Sequence, residues 1–281
     1  MTGGKADIAR KELASGNASP SVGGTHVWPV LAALVTYLRT MLAFAVVWHL
    51  ASLWVDNMLL LPTPIAVGQS LWQLLLSGEV AMHVAVSGKR LILSFLLAGA
   101  VGIPLGFLMA LNQLLFDLVD PVVELLRPIS GIAWIPIGLF IFGVGDTLPT
   151  AIMFYGAFFP MVINTIVSVR GVDPNLINAA RTLGAGRLTI LRHVIWPAAL
   201  PGILVGARLA AGAGWMSMVA AELIGAPSGL GFAVEWYRQL LMTSNVLAFV
   251  VVIALLGYAM DRLLRMAQRL SAGWAQPRFE T

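Results

Sequence analysis

Long apolar runs alternate with short polar breaks along this chain. Residues 91–111, 128–145, 147–169 and 239–260 carry no charge at all. Two more runs, 27–55 and 193–221, are each split by one arginine, Arg39 and Arg208. Roughly 20 apolar residues cross a bilayer as a helix. The pattern therefore predicts six spans and an all-α, polytopic membrane protein. A β-barrel would alternate in segments of about ten residues instead.

The breaks are as informative as the runs. Segment 56–83 is apolar but interrupted by Pro62, Pro64 and Gly78. Thr63 can cap a helix that starts at Pro64, with Val67, Leu71, Leu74 and Leu75 on one face. Such a helix is too short to span and is expected at the outer surface. Gly99, Gly102 and Gly106 form a small strip that lets another helix approach closely, and that strip suggests a dimer contact. Asp117, Asp120, Glu124 and Arg127 line one face of a helix leading into 128–145, where Pro128 and Pro136 predict a kinked or partly unwound span.

The most conspicuous break is 172–201, VDPNLINAARTLGAGRLTILRHVIWPAALP. Asp173-Pro174 is a strong helix start, an N-cap followed by proline at the first position. Leu176, Ala180 and Leu183 recur at helical spacing, with Asn178, Arg181 and Thr182 off that face. Gly184 then ends the helix. About ten residues give roughly 15 Å, too short to span. A short basic amphipathic helix suits either anionic headgroups or a groove on a soluble partner. The tight Gly184-Ala185-Gly186 end favours the groove.

Composition narrows the picture further. Of 281 residues, 59% are hydrophobic and only 11% charged, which excludes an ordinary soluble domain. There is no cysteine, so disulfides and thiolate chemistry are excluded. His26, His49, His83 and His193 lack metal-ligand spacing. The net charge of +4 does not point to nucleic acid, because the basic residues sit beside span ends. With the N-terminus inside, Lys5, Arg10, Lys11, Arg127, Arg170, Arg181, Arg187, Arg192, Arg262, Arg265, Arg269 and Arg278 are cytoplasmic, as the positive-inside rule requires. Lys89 and Arg90 are the exception, read as a pair that snorkels to the outer interface. The expected organisation is a cytoplasmic tail (1–27), a membrane domain (28–265) and a short cytoplasmic tail (266–281).

Asn178-Ala179-Ala180, Gly184 and Leu200-Pro201 resemble the cytoplasmic signature loop of binding-protein-dependent ABC importer permeases, with asparagine where that loop carries glutamate. LLPTPIAV, GKRLILSFLLAGAVGIPLGFLMAL, LLRPISGIAWIPIGLFIFGVGD, VRGVDPNLINAARTLGAG and VAAELIGAPSGLGF extend the resemblance, in order, to the nitrate, sulfonate and taurine permeases. The resemblance implies a type I importer permease fold in the bacterial inner membrane. It also implies a homodimer, two cytoplasmic ATPase subunits and an extracytoplasmic substrate-binding protein. Residues 174–183 would be the coupling helix, with Asn178, Ala179, Ala180, Arg181, Leu183, Gly184, Ala185 and Gly186 at the ATPase contact. ATP and magnesium would belong to the partner, because this chain has no GxxxxGK[ST] loop. The implied solute is first a small organosulfonate such as taurine, second nitrate, another oxyanion or an aromatic acid.

Charges within spans are costly and face a cavity or a partner. Arg208 either lines an anion path or is structural, snorkelling to the cytoplasmic side or paired with Glu124 or Asp120. Glu222 precedes IGAPSGLGF and is read as holding that glycine-rich segment. Asn164, Tyr155, Trp215, Met216 and Ser217 are further path candidates, although most such residues are helix–helix glue. Two other functions compete. An intramembrane enzyme needs paired catalytic groups, which the sequence does not offer. A stand-alone secondary transporter needs inverted repeats and a coupling carboxylate, for which only Glu222 is a candidate.

Overall fold

The computed structural model describes residues 27–272, with side chains from 35 to 271, and these residues contain helices and no strand. Lys5, Arg10, Lys11, His26 and Arg278 lie outside the described residues. The chain divides into two compact units, Met1–Trp54 and Val55–Thr281. The first contributes α1 (Val27–Val55), of which Val35–Val55 is long and apolar enough to cross a membrane.

The second unit starts with α2 (Pro64–Leu76), capped as its sequence demands: the Thr63 hydroxyl accepts from the Ala66 N–H. Helix α3 (Glu79–Leu111) begins twelve residues earlier than the uncharged run. Left-handed Gly78 starts it, and no proline separates Glu79 from Leu91, Gly88 being tolerated within the helix. At 1.5 Å per residue its 33 residues reach about 50 Å, more than a bilayer core of about 30 Å. Its first three turns therefore have room for polar side chains.

The stretch 128–145 is not a straight span. Helix α4 (Gln113–Leu126) and the segment Gly131–Phe142 meet at 84° and together make a sixth candidate crossing beside five long helices. Pro128 cannot continue α4. Pro136 does not break the second half but opens it, in the first turn of α5 (Ile135–Phe142), where its missing N–H costs nothing.

Helix α6 (Thr147–Arg170) is the centre of the unit, packed against both α3 and α8 (Arg187–Gly225). Lipid tails are as apolar as leucine, so close packing rather than the hydrophobic effect holds such helices together. A Cβ at Gly106 of α3 would lie 2.7 Å from Thr165 Cβ and 2.8 Å from the Val162 carbonyl, both on α6. Gly102 faces Met161 of α6 in the same way. The glycine strip is thus consumed inside the chain and is not a surface for a second copy. Helix α7 (Pro174–Thr182) links α6 to α8, and α9 (Leu230–Gln239) and α10 (Thr243–Ala272) complete the unit. Helix α10 runs on through 266–272, residues the sequence assigned to a tail.

Candidate functional site

The loop 171–186 is built by backbone chemistry. The Asp173 carboxylate accepts from the Asn175 N–H, and Pro174 follows in the first turn. At the other end Gly184 takes φ +80°, its N–H bonds the Arg181 carbonyl and the Ala185 N–H bonds the Ala180 carbonyl. This double bond pattern around a left-handed glycine is the Schellman motif, which satisfies the last carbonyls of a helix. Helix α7 needs no neighbour to close its ends. Ile177 and Ala180 of the helix, and Ala185 just after it, pack against the buried cluster that contains Val169, Val172 and Ile190. Leu176 and Leu183, expected on the packed face, instead point outward, at 52% and 87% exposure. Asn178, Ala179, Arg181 and Gly186 are exposed as well. The loop presents a mixed apolar and polar surface on a preformed frame.

The opposite end of α6 carries the reverse arrangement. Arg90 is 3% exposed and Glu222 1%. Arg90 Nη1 donates to Glu222 Oε1 at 2.6 Å and to the Ser228 carbonyl at 2.7 Å. Its Nε and Nη2 donate to Asp146 Oδ1. Glu222 also accepts from Ser87 Oγ at 2.8 and 2.9 Å and from the Gly231 N–H at 3.0 Å. His83 Nδ1 accepts the Gly229 N–H, and Ser87 Oγ accepts the Leu230 N–H. Gly231 leaves no space for a Cβ beside Glu222 and the Val219 carbonyl. The cluster pins segment 225–231, between α8 and α9, onto α3. Arg90 therefore does not snorkel; a buried carboxylate holds it inside. The missed signal was a stripe, His83, Ser87, Arg90 and Ser94, at three- and four-residue spacing along one buried face of α3.

The suggested path residues do not share one surface. Tyr155 donates to the Leu126 carbonyl at 2.6 Å, tying α6 to α4. Asn164 and Ser217 bond carbonyls of their own helices, Pro160 and Ala213. Trp215 is buried near Gly257 of α10, whereas Met216 is 75% exposed. Arg208 pairs with neither Glu124 nor Asp120. Its Nε reaches Asp261 Oδ1 on α10 at 2.5 Å, and Arg265 holds the other oxygen of Asp261. The apolar run 239–260 stops one residue short of Asp261, which hid that partner. Asp120 and Glu124 instead line a cavity of about 510 Å³ with Arg127 and Arg170, whose guanidinium lies 3.8 Å over the Phe116 ring.

Five long apolar helices and one bent pair, interrupted by a short capped helix on an exposed loop, define a multi-pass helical membrane protein. Residues 102–271 match the family of the binding-protein-dependent transport system inner membrane component, and the chain belongs to it: it is an ABC importer permease of the inner membrane. It is 42% identical over 225 residues to a putative ABC transporter permease of Methanocaldococcus jannaschii, covering 78% of this chain and 84% of that one. It is 34% identical to the taurine transport system permease protein of Escherichia coli (88% and 92% covered) and 32% to the nitrate import permease protein of Leptolyngbya laminosa (72% and 75%). Among solved structures, the methionine ABC transporter MetNI in inward-facing conformations shares the fold, with TM-score 0.53 at 23% identity over 66% of this chain and 94% of that one.

Proposed function

We propose that this chain forms, as a homodimer, the membrane path for a small organosulfonate such as taurine. A substrate-binding protein delivers the solute from outside, and two cytoplasmic ATPase subunits, which hold ATP and magnesium, drive import. The observation that carries this reading is α7: capped at both ends by its own backbone, it offers Leu176, Leu183 and Arg181 to a partner without needing one to fold. ATP-driven closure moves a permease only through a contact that differs in energy between two states, and a preformed helix is such a contact. The positive-inside bias supports placing α7 and both termini in the cytoplasm. Asp120 and Glu124 support the dimer: carboxylates within a bent span need water or a partner, and a second copy facing α4 would enclose a polar channel there.

The organosulfonate follows the taurine and aliphatic sulfonate permeases among the relatives. A second reading, nitrate, follows the nitrate permease at 32% identity. Proteoliposomes holding the permease with its ATPase and binding protein separate the two. ATP-dependent accumulation of labelled taurine, absent without the binding protein, is expected. Accumulation of nitrate alone would replace the solute, and uptake without any ATPase would overturn the whole assembly.

A further inference from the structure

Arg90 holds two carboxylates in very different ways. Glu222 has no exposed side-chain surface and accepts from three donors, the Ser87 hydroxyl, Arg90 Nη1 and the Gly231 N–H. Asp146 is 72% exposed and touches the cluster through Oδ1 alone. Burial and multiple donors make the first pair permanent, since removing either partner strands a charge. An exposed pair contributes little by comparison. Asp146 also stands at the N-cap of α6 without capping it, so its carboxylate has a second place to go, the unsatisfied N–H groups of that first turn. The loop before it has room to change: Gly143 has φ +69° and a Cβ at Gly143 or Gly145 would meet nothing, although the Gly145 N–H is bonded to the Gly225 carbonyl at 3.1 Å.

Beside Asp146 lies a cavity of about 260 Å³ whose polar lining is Lys89, Arg90, Asp146, Thr150 and Ser228. With Asp146 in place the local charges balance: Lys89 and Arg90 against Glu222 and Asp146. With Asp146 swung away, one positive charge is uncompensated. The vacated donor is a planar guanidinium edge, and the Ser228 hydroxyl (3.4 Å from Arg90 Nη2) and the exposed Lys89 ammonium line the same cavity. That set matches a small oxyanion, which accepts several hydrogen bonds through a delocalised charge.

We propose that this cavity is a reception site for the anionic head of the solute, and that the Asp146 carboxylate is its built-in stand-in, yielding when a sulfonate or nitrate arrives. The proposal rests on the reading of the solute as a small oxyanion. Arrival of the anion frees the 143–146 loop from Arg90 while Glu222 keeps the glycine-rich segment in place.

The test uses full-length protein in lipid nanodiscs, without binding protein, titrated calorimetrically with methanesulfonate. Asp146→Ala is expected to bind it at least about tenfold tighter than the unchanged protein, the scale of one lost competing charge. Lys89→Gln in that background is expected to reverse the gain, and neutral dimethyl sulfone to bind neither form. Asp146→Asn, which keeps the side chain's shape, carries the same test if the alanine variant folds poorly. Equal affinity in the unchanged, alanine and asparagine proteins would overturn the site. Sulfonate uptake with no such tightening removes the site and leaves the transport reading standing. Tightening for methanesulfonate and nitrate without uptake of either keeps the site and removes that reading.

Discussion

The two ends of α6 solve the same problem in opposite ways. Both ends carry charged and polar groups at the edge of an apolar bundle. At the Asp146 end Arg90, Glu222 and Ser87 are turned inward and bonded to one another, and buried His83 accepts from the Gly229 N–H. At the Arg170 end the backbone of 171–186 satisfies itself through two caps, and the side chains of Leu176, Arg181 and Leu183 are turned out. Inward polar groups fix a structure; outward side chains on a rigid frame are available to another molecule. Stability and contact are thus divided between the ends, and substitutions can test that division.

The largest effect is expected from Glu222→Ala, which strands Arg90 without its buried partner. Loss of one member of a buried pair costs about 3–5 kcal/mol, so little folded protein should reach the membrane. Removing both charges, as Arg90→Leu with Glu222→Leu, should recover much of that loss. Melting of the detergent-solubilised protein reads both, and a single variant as stable as the unchanged protein would show that the cluster does not fix this end.

Gly184→Leu tests the other end. A leucine at φ +80° costs about 1–2 kcal/mol, too little to prevent insertion but enough to deform the Schellman turn. The expected outcome is normal membrane level with uptake and coupled ATP hydrolysis nearly abolished. Normal uptake at normal expression would mean that the loop does not carry the drive.

Arg208 belongs to neither end and should respond weakly. Arg208→Lys retains the charge facing Asp261 and should transport close to normally. In Arg208→Gln, Arg265 still compensates Asp261, so only a modest fall in uptake is expected. Uptake rates of the two variants check this. A complete loss in the glutamine variant, with intact assembly, would restore Arg208 to the path.

The smallest effect is expected at Glu235 on α9. Hydrogen bonds from Arg238 and Gln239 hold its carboxyl down at about 2. A lowered folded value means that the pair's contribution is present above the ordinary carboxylate range, near 4.5, and is lost as pH falls towards about 2. Glu235→Gln should therefore leave melting near neutral pH almost unchanged and flatten it slightly below about pH 4.5. A large shift at pH 7 would show that α9 depends on this surface pair.

What the sequence disclosed follows the same division. Helix α7 was legible to within a residue because its signals are local: Asp173, Pro174 and Gly184 act on the backbone beside them. Its packed face was not, because Ile177 rather than Leu176 packs against the cluster that contains Val169 and Val172, a fact of tertiary packing. Three of the five long helices announced themselves by uncharged runs and two by runs split by a single arginine, whereas the early start of α3 was hidden by the charges of Lys89 and Arg90. Those charges read as a boundary until Glu222, 132 residues away, was brought against one of them. Arg208 was misassigned for the same reason, since its partner Asp261 lies 53 residues on.

Helix α8 has a mechanical meaning that neither end reveals alone. It starts at Arg187, directly after the capped loop, and carries Glu222 near its far terminus, 35 residues later. At 1.5 Å per residue that is a strut of about 50 Å. If the loop carries the drive proposed above, a push there would reach the glycine-rich segment as axial displacement of this rod. Its compliant joints lie near its foot: the wide π-type turn at Leu191–Ile195 and Pro201, which removes a backbone hydrogen bond inside the helix. Stiffness along the rod and give at its foot would turn a small tilt of α7 into a coordinated shift of the charge cluster on the other side of the membrane.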